Sequence, residues 1–488
     1  MEREIYIVQD RDCDGLFSSV LAYKFLHKID PTCFPTILIH SKRETGLAPE
    51  IMAQIKPNSF VWVPDAGSND VEQCRMLKEQ GCDILITDHH DIEYNNPYAI
   101  VINNQFPGID NPCGSGTLVT YKFIQYVCEQ LGVNWYQEWI DIVAFANIAD
   151  IMELNTIENR VFNYAGLSHI KNEFLQYLCD NFISNGEITP TAIIWNVIPK
   201  LNAVIRGDNT TLTIYLTYAL LGLEEDKDAI IFSELKDYLK KAHKEQSSLT
   251  KQMADFSMQS IDNFNDNAII CFTEQTPYTG LVANKISSTL NKPVFLVYDD
   301  GEGHYKGSCR SPIDVRDLCV KSGLFTYASG HQRAYGICFP YDNLNEIKNY
   351  FNGLNLADSQ SEEVVGSYAP KAIPTPLFDM AEDYKDLWGK GVPEPTVHCK
   401  VKCKGTDWIA MRGNTVKLFQ DGVTFIKFFV SNDNKADWKV GENVDLDIDI
   451  IGKPCYNEYN DNKYKQVVIE KIEVIERQRN NVAFDDLF

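Results

Sequence analysis

Nowhere in its 488 residues does the chain hold an apolar run near the roughly 18 residues that a membrane span needs. The opening stretch MEREIYIVQDRDCDG also lacks the long uncharged segment of a secretory signal. A cytoplasmic protein without membrane contact is therefore expected (the host's cytoplasm, if the chain is viral). Positive charge is scarce: 45 Lys and Arg face 68 Asp and Glu, leaving a net −23. Such an excess repels a polyanion overall, so a nucleic-acid function requires local basic patches, bound metal ions, or both. The 14 cysteines lack the spacing of a disulfide framework, and several lie in apolar contexts, such as Cys271 in AIICF and Cys338 in GICF. Reduced, mostly buried thiols follow. Apolar residues at 44% and charged residues at 23% are what a globular chain carries, which excludes a disordered, collagen-like or small disulfide-stapled one. At about 150 residues per domain the length suggests three domains.

Over the first 150 residues short apolar strands alternate with helical stretches. Residues 5–9, 60–64 and 83–87 read as strands, and LFSSVLAYKFLHKI and VEQCRMLKEQG read as helices. That is a parallel α/β pattern, whose ligands bind at the carboxyl ends of the strands. Residues 117–260 read mostly helical. They close on SELKDYLKKAHKEQSSLTKQMADFSMQSIDNF, a long polar stretch expected to connect two domains, with Lys236, Lys240, Lys241, His243, Lys244 and Lys251 on a solvated face. A second α/β unit follows from AIICF, LVANKISSTL, PVFLVYDD and HYKGSCRS. After a Pro- and Gly-rich stretch, short alternating strands run from Thr396, as a small antiparallel barrel or sandwich requires.

Polar residues cluster after each early strand. Asp10, Asp12 and Asp14 recur at a spacing of two, and Gly15 lets the chain turn into the helix. Asp65 ends the second strand and Asp88-His89-His90 the third, while Asp150 closes AFANIAD. Carboxylates this close repel one another unless a cation holds them. Hard oxygens with imidazole nitrogens suit Mn2+ or Mg2+. Two such ions, about 3.5 to 4 Å apart, polarise a phosphoryl group and activate water.

The ordered set resembles the DHH phosphoesterase superfamily, in particular its RecJ branch of single-strand-specific exonucleases. The D-x-D-x-D-G motif is Asp10 to Gly15. The D-N-G motif is similar to Asp65-Ala66-Gly67, with Ala in the Asn position. D-H-H is Asp88-His89-His90, and Asn103-Asn104 stands where the family often has N-P. The family's fourth motif, which ends in an acid, resembles Ala144 to Asp150, followed by Asn159-Arg160. P-R-x-N-A-x-G-R resembles Pro199 to Arg206, and the DHH-associated domain's motifs resemble Gly307 to Ser311 and Ser329 to Gly336. The resemblance spans residues 5–340.

It implies a parallel-sheet DHH catalytic domain over 1–165 and a helical region with its connecting helix over 166–262. A DHH-associated substrate-binding α/β domain over 263–352 would follow, then a linker or wrapping segment over 353–395. Beyond the resemblance, the strand pattern gives an OB-like β barrel over 396–480, and the sequence ends in an acidic tail over 481–488. By resemblance, Asp10, Asp12, Asp14, Asp65, His89 and Asp150 are metal ligands or their immediate partners for two divalent ions, Mn2+ or Mg2+. Asp88, His89, His90, Arg310 and His331 form the catalytic group. Asn202, Arg206, Ser308, Arg310, Gly330 and His331 bind the substrate phosphates. The implied activity is two-metal hydrolysis of single-stranded DNA from the 5′ end to nucleoside 5′-monophosphates. The alternatives are a phosphodiesterase for short oligonucleotides or cyclic dinucleotides, and a catalytically weak repair or replication scaffold. Trp408, Phe419, Phe425, Phe428 and Phe429 are available to stack on bases but are mostly expected in the core. The tail Phe484 to Phe488 resembles the partner-recruiting ends of single-strand-binding proteins, so replication or single-strand-binding proteins are candidate partners.

Overall fold

A computed structural model describes residues 3–41, 44–184, 186–207, 209–222, 232–356, 364–411, 414–428, 430, 432–459 and 462–476. It divides into two compact units, residues 1–360 and 361–488.

The first unit begins with β1 (Ile5–Gln9), α1 (Cys13–Ile29), β2 (Thr36–Ile39), α2 (Pro49–Met52), β3 (Phe60–Pro64), α3 (Val71–Glu79), β4 (Asp83–Asp88) and β5 (Ile100–Asn103). All five strands are parallel, in the order β2-β1-β3-β4-β5. IYIVQ, FVWVP and the ILIT of β4 are near-continuous apolar runs because a parallel sheet is covered on both faces. Their alternate residues sort accordingly. Ile7, Trp62 and Leu85 join the core under α1 and α4 (Gly116–Leu131). Tyr6, Val8, Val61, Val63, Ile84 and Ile86 face the other way, toward Ile51 of α2 and Cys74 and Leu77 of α3. In this order the sheet reverses direction between β1 and β3, the point at which a crevice opens.

Helices α5 (Ile140–Ala149), α6 (Ile157–Ser168), α7 (Glu173–Phe182), α8 (Pro190–Asn196), α9 (Ile198–Ile205) and α10 (Thr210–Leu221) extend the first core. The stretch from Tyr136 to Met152 is not one helix: a 3-10 turn at Trp135–Glu138 precedes α5. The expected connector is α11 (Phe232–Met258), about 40 Å long at 1.5 Å per residue. Its Leu235 and Leu239 belong to the first core and its Ala254 to the next. The second α/β module comprises β6 (Ile269–Phe272), α12 (Thr279–Leu290), β7 (Val294–Asp299), β8 (His304–Arg310), α13 (Arg316–Ser322), β9 (Tyr327–His331), β10 (Ala334–Pro340) and α14 (Leu344–Asn352). Its sheet runs β6-β7-β8-β10-β9, with β6 and β7 parallel and the rest antiparallel.

The second unit contains β11 (Gly366–Tyr368), α15 (Thr375–Asp383), β12 (Val397–Lys404), β13 (Trp408–Met411), β14 (Thr415–Gln420), β15 (Val423–Lys427), α16 (Asn432–Asp437), β16 (Asp445–Tyr459) and β17 (Asn462–Glu476). The segment expected as a linker or wrapping stretch thus supplies β11 to the sheet and α15 to its core, where Phe378 is fully buried. The strand order is β11-β12-β16-β17-β15-β14-β13. The expected OB-like barrel is not confirmed. Among the described residues no ladder returns β13 to the opposite edge, so the pairing is that of a seven-stranded mixed sheet. Trp408 and Phe425 are core residues, whereas Phe419 is 63% and Phe428 45% exposed. The side chain of Phe429 and the acidic tail lie outside the described residues.

Candidate active site

Each acid of the first module is delivered by a strand end or a helix end. Asp10 follows β1 at the reversal point, and Asp12 caps α1, its Oδ1 accepting from the Gly15 N–H at 3.0 Å. Gly15 has no room for a side chain, since a Cβ there would stand 2.6 Å from the Asp10 Cβ. Asp65 follows β3 in the left-handed region at φ 69°, and its N–H is held by the Thr87 carbonyl at 2.7 Å. That unusual conformation turns the carboxylate back over the crevice. Gly116, at the start of α4, gives Asp65 its space: a Cβ would overlap the Asp65 Oδ1. Asp14 accepts from the Gly116 and Thr117 N–H groups at 2.6 and 2.9 Å, at the positive end of α4. Asp150 caps the C-terminal end of α5.

These groups converge. The Nε2 of His89 lies 3.3 Å from Asp65 Oδ1, 3.7 Å from Asp14 Oδ2 and 3.8 Å from Asp150 Oδ2. Oxygens of Asp10, Asp12 and Asp65 fall within 4.8 Å of one another. The same holds for ligand atoms of Asp14, His89 and Asp150, and of Asp65, His89 and His90. Asp65 therefore belongs to groups on both sides of the crevice. The Oδ1 atoms of Asp10 and Asp65 are buried without a hydrogen bond. Burial foremost, then the Asp14, Asp12, Asp10 and Asp150 charges, push the Asp65 carboxyl well above its usual range. Burial and Asp12 push Asp10 up to about 8. Hard, buried, unsatisfied oxygens beside an imidazole suit a pair of divalent cations.

Asp88 is occupied differently. Its Oδ1 accepts from the His89 N–H at 2.7 Å, the His90 N–H at 3.1 Å and His90 Nδ1 at 2.8 Å, and its Oδ2 accepts from the Ser68 N–H at 3.1 Å. Burial opposes its charge, but the His90 bond prevails and holds the carboxyl below the usual range. Asp88 thus shapes the turn that presents His89. Sequence reasoning missed the rest of this brace. Asn103, the last residue of β5, donates to Ser68 Oγ at 2.9 Å and to the His90 carbonyl at 3.0 Å. Gln105 donates to the His89 carbonyl at 3.1 Å. The signal was an Asn ending the apolar run IVIN.

The second module brings cations to the same region of the first unit. Arg310 ends β8, and its Nη1 donates to the Cys309 carbonyl at 2.7 Å. Burial lowers its pKa, and the nearby Arg206 charge adds to the effect. A Cβ on Gly280, in the first turn of α12, would stand 2.6 Å from Arg310 Nη2 and 3.7 Å from Ser308 Oγ. Arg310, Ser308 and the N-terminus of α12 thus share one small space, a combination suited to an anion. Asn202 is turned toward the acid loop, its Oδ1 accepting from Cys13 Sγ at 3.4 Å. Arg11 donates to the Ile205 carbonyl at 3.1 Å, so α9 and the acid loop are tied together. Gly330 adopts φ 129°, where a Cβ would crowd Tyr335 of the paired strand at 3.0 Å, so the hairpin itself demands glycine. His331 ends β9, and its side chain lies outside the described residues.

Comparison with known proteins bears on the fold and the family. Residues 4–147 match the model of the DHH family, N-terminal domain. A putative SPbeta prophage-derived single-strand DNA-specific exonuclease, YorK, of Bacillus subtilis is 27% identical, over 99% of this chain and 89% of the relative. The single-stranded-DNA-specific exonuclease RecJ of Haemophilus influenzae is 25% identical, over 97% and 88%. Among solved structures, RecJ of Thermus thermophilus in complex with Mn2+ superposes with a TM-score of 0.73 at 21% identity, covering 96% of this chain and 69% of that one.

Proposed function

We propose that this chain, a RecJ-like member of the DHH superfamily, is a nuclease that hydrolyses single-stranded DNA from the 5′ end to nucleoside 5′-monophosphates. The observation that carries this reading is Asp65, a buried carboxylate common to two groups of candidate ligands. Asp10, Asp12 and Asp65 would hold one divalent ion, and Asp14, His89 and Asp150 a second, with Asp65 3.3 Å from His89 between them. Mn2+ or Mg2+ fits the oxygen-rich donor set. When bound, such a pair activates water at neutral pH and offsets charge on the phosphoryl oxygens.

The chain's own residues supply the rest. Asp14 anchors the start of α4 behind His89, and Asp88 fixes the histidine turn. His90, its ring bonded to Asp88 and half exposed, faces outward where it can donate to a phosphate oxygen. Arg310 and Ser308 at the start of α12 would take the terminal 5′-phosphate, with Arg206 beside them. Seating the terminal phosphate there would set the polarity. His331 and Gly330 would lie along the same strand path. The −23 net charge makes these local cations and the ions the substrate's attachment, instead of a broadly basic surface.

The test is degradation of single-stranded DNA labelled at either end, with Mn2+, Mg2+ or EDTA, for wild type and Asp65→Asn. Early release of the 5′-labelled mononucleotide, lost in EDTA and in the variant, is expected. Hydrolysis confined to dinucleotides would replace the reading with a small-substrate phosphodiesterase. A folded, ion-loaded protein that cleaves neither would leave a scaffold.

A further inference from the structure

The reversal point of the first sheet accounts for Asp10 and Asp65, but β2, on the far side of β1, also ends in a potential ligand. His40 follows β2 directly, is fully buried, and makes no hydrogen bond through either ring nitrogen. An unbonded imidazole so deep in the protein carries an uncompensated desolvation cost unless something meets it. What faces it is acidic. Glu50 Oε1, from α2, lies 3.7 Å from His40 Nδ1, and ligand atoms of His40, Glu44 and Glu50 fall within 4.8 Å of one another. Burial foremost lowers the His40 pKa against the pull of Glu50 and Glu44, with the Arg11 guanidinium adding to the lowering and the Gly46 main chain opposing it, so the ring is neutral, as a metal ligand must be.

We propose that His40, Glu44 and Glu50 form a third cation site, for a borderline divalent ion of the Zn2+ type, outside the pair at the reversal point. One imidazole nitrogen and two carboxylates leave a fourth tetrahedral position for water. Ligand atoms at 2.0 to 2.2 Å around such an ion stand about 3.4 Å apart, so the observed 3.7 Å closes with a small shift of Glu50. Ser41 holds both Glu50 oxygens, its N–H donating to Oε1 at 2.6 Å and its hydroxyl to Oε2, which orients the carboxylate while each oxygen keeps a second lone pair. The consequence is positional. Arg11, between Asp10 and Asp12, donates to the Ser41 carbonyl at 3.3 Å. An ion joining β2 to α2 would hold Ser41, and through it the acid loop.

The experiment uses the full chain carrying Asp10→Asn, Asp65→Asn and His89→Asn, which breaks every group of candidate ligands at the reversal point. After chelation, reloading with Zn2+ and desalting, elemental analysis is expected to find one Zn2+ per chain, falling to none when His40→Gln is added. With Co2+ in place of Zn2+, the same chain is expected to show visible d–d absorption that His40→Gln abolishes. No retained ion in the Asp10→Asn, Asp65→Asn, His89→Asn chain, or an ion that His40→Gln leaves in place, overturns the proposal. If His40→Gln fails to fold, Glu44→Gln takes its place and must shift the Co2+ spectrum. These readouts do not involve DNA cleavage, so the site and the nuclease reading stand or fall separately.

Discussion

The Asp65 carboxylate is buried at a left-handed backbone position, faces His89 at 3.3 Å, and shares its crevice with Asp10, Asp12, Asp14 and Asp150. Without cations, that crowding is a standing cost to the fold, as functional sites commonly are. Asp65→Asn should therefore stabilise the ion-free protein by about 1 kcal/mol, read as a rise in its first melting transition. The same variant should lose the stabilisation that Mn2+ gives wild type and lose activity by more than about 100-fold. A variant less stable than wild type in EDTA would contradict the account of the site as mutually repelling carboxylates. Asp88 predicts a different pattern because its oxygens already serve Ser68, His89 and His90. Asp88→Asn should weaken Mn2+ binding about 10- to 100-fold, with much of the activity returning at high Mn2+. Activity that stays lost at saturating Mn2+ would place Asp88 on the ions or the substrate instead.

At the scale of elements, two glycines at helix starts decide where the functional groups stand. Gly116→Ala puts a methyl against Asp65 Oδ1. Crowding of this kind costs roughly 1 to 3 kcal/mol. Circular dichroism should show a folded chain, yet Mn2+ binding and cleavage should collapse together. Gly280→Ala puts a methyl 2.6 Å from Arg310 Nη2. It should leave Mn2+ binding untouched while reducing the preference for a 5′-phosphorylated over a 5′-hydroxyl strand about tenfold, the size of one charge-assisted contact. An unchanged preference would separate Arg310 from the terminal phosphate. The same elements show what the sequence made legible. β1, β3 and β4 were readable because each is an apolar run that stops at an acid. β2 and β5 are four residues long and partly exposed, too short for periodicity to separate them from loop, so His40 went unread and Asn103 was read as a motif position without its role in the brace. The motif acids were visible, but not their division of labour. That Asp14 and Asp88 are bonded to main-chain N–H groups depends on Gly116 and Ser68, which lie far from them in sequence.

Across the whole molecule, the chain forms two compact units, residues 1–360 and 361–488, the first holding both α/β modules. The reason lies in α11, whose first turns are packed in one core and whose last turns are packed in the next, so the two α/β modules share a helix and not a flexible joint. The second unit's core is built from its own sheet and α15, with Phe378, Phe425 and Ile450 fully buried among its own residues. Two cores of this independence should melt as two calorimetric transitions. All the candidate ligands belong to the first unit. A cation that binds the folded state stabilises it by RT ln(1 + [L]/Kd), about 2.7 kcal/mol at a hundredfold excess over Kd. Mn2+ should therefore raise one transition by several degrees and leave the other where it was, and EDTA should reverse the shift. Residues 1–360 expressed alone should reproduce the Mn2+-sensitive transition. If Mn2+ moved both transitions equally, or the shorter chain lost its response, the ions would be linked to the second unit's stability, and the assignment of the whole centre to the crevice between β1 and β3 would fail.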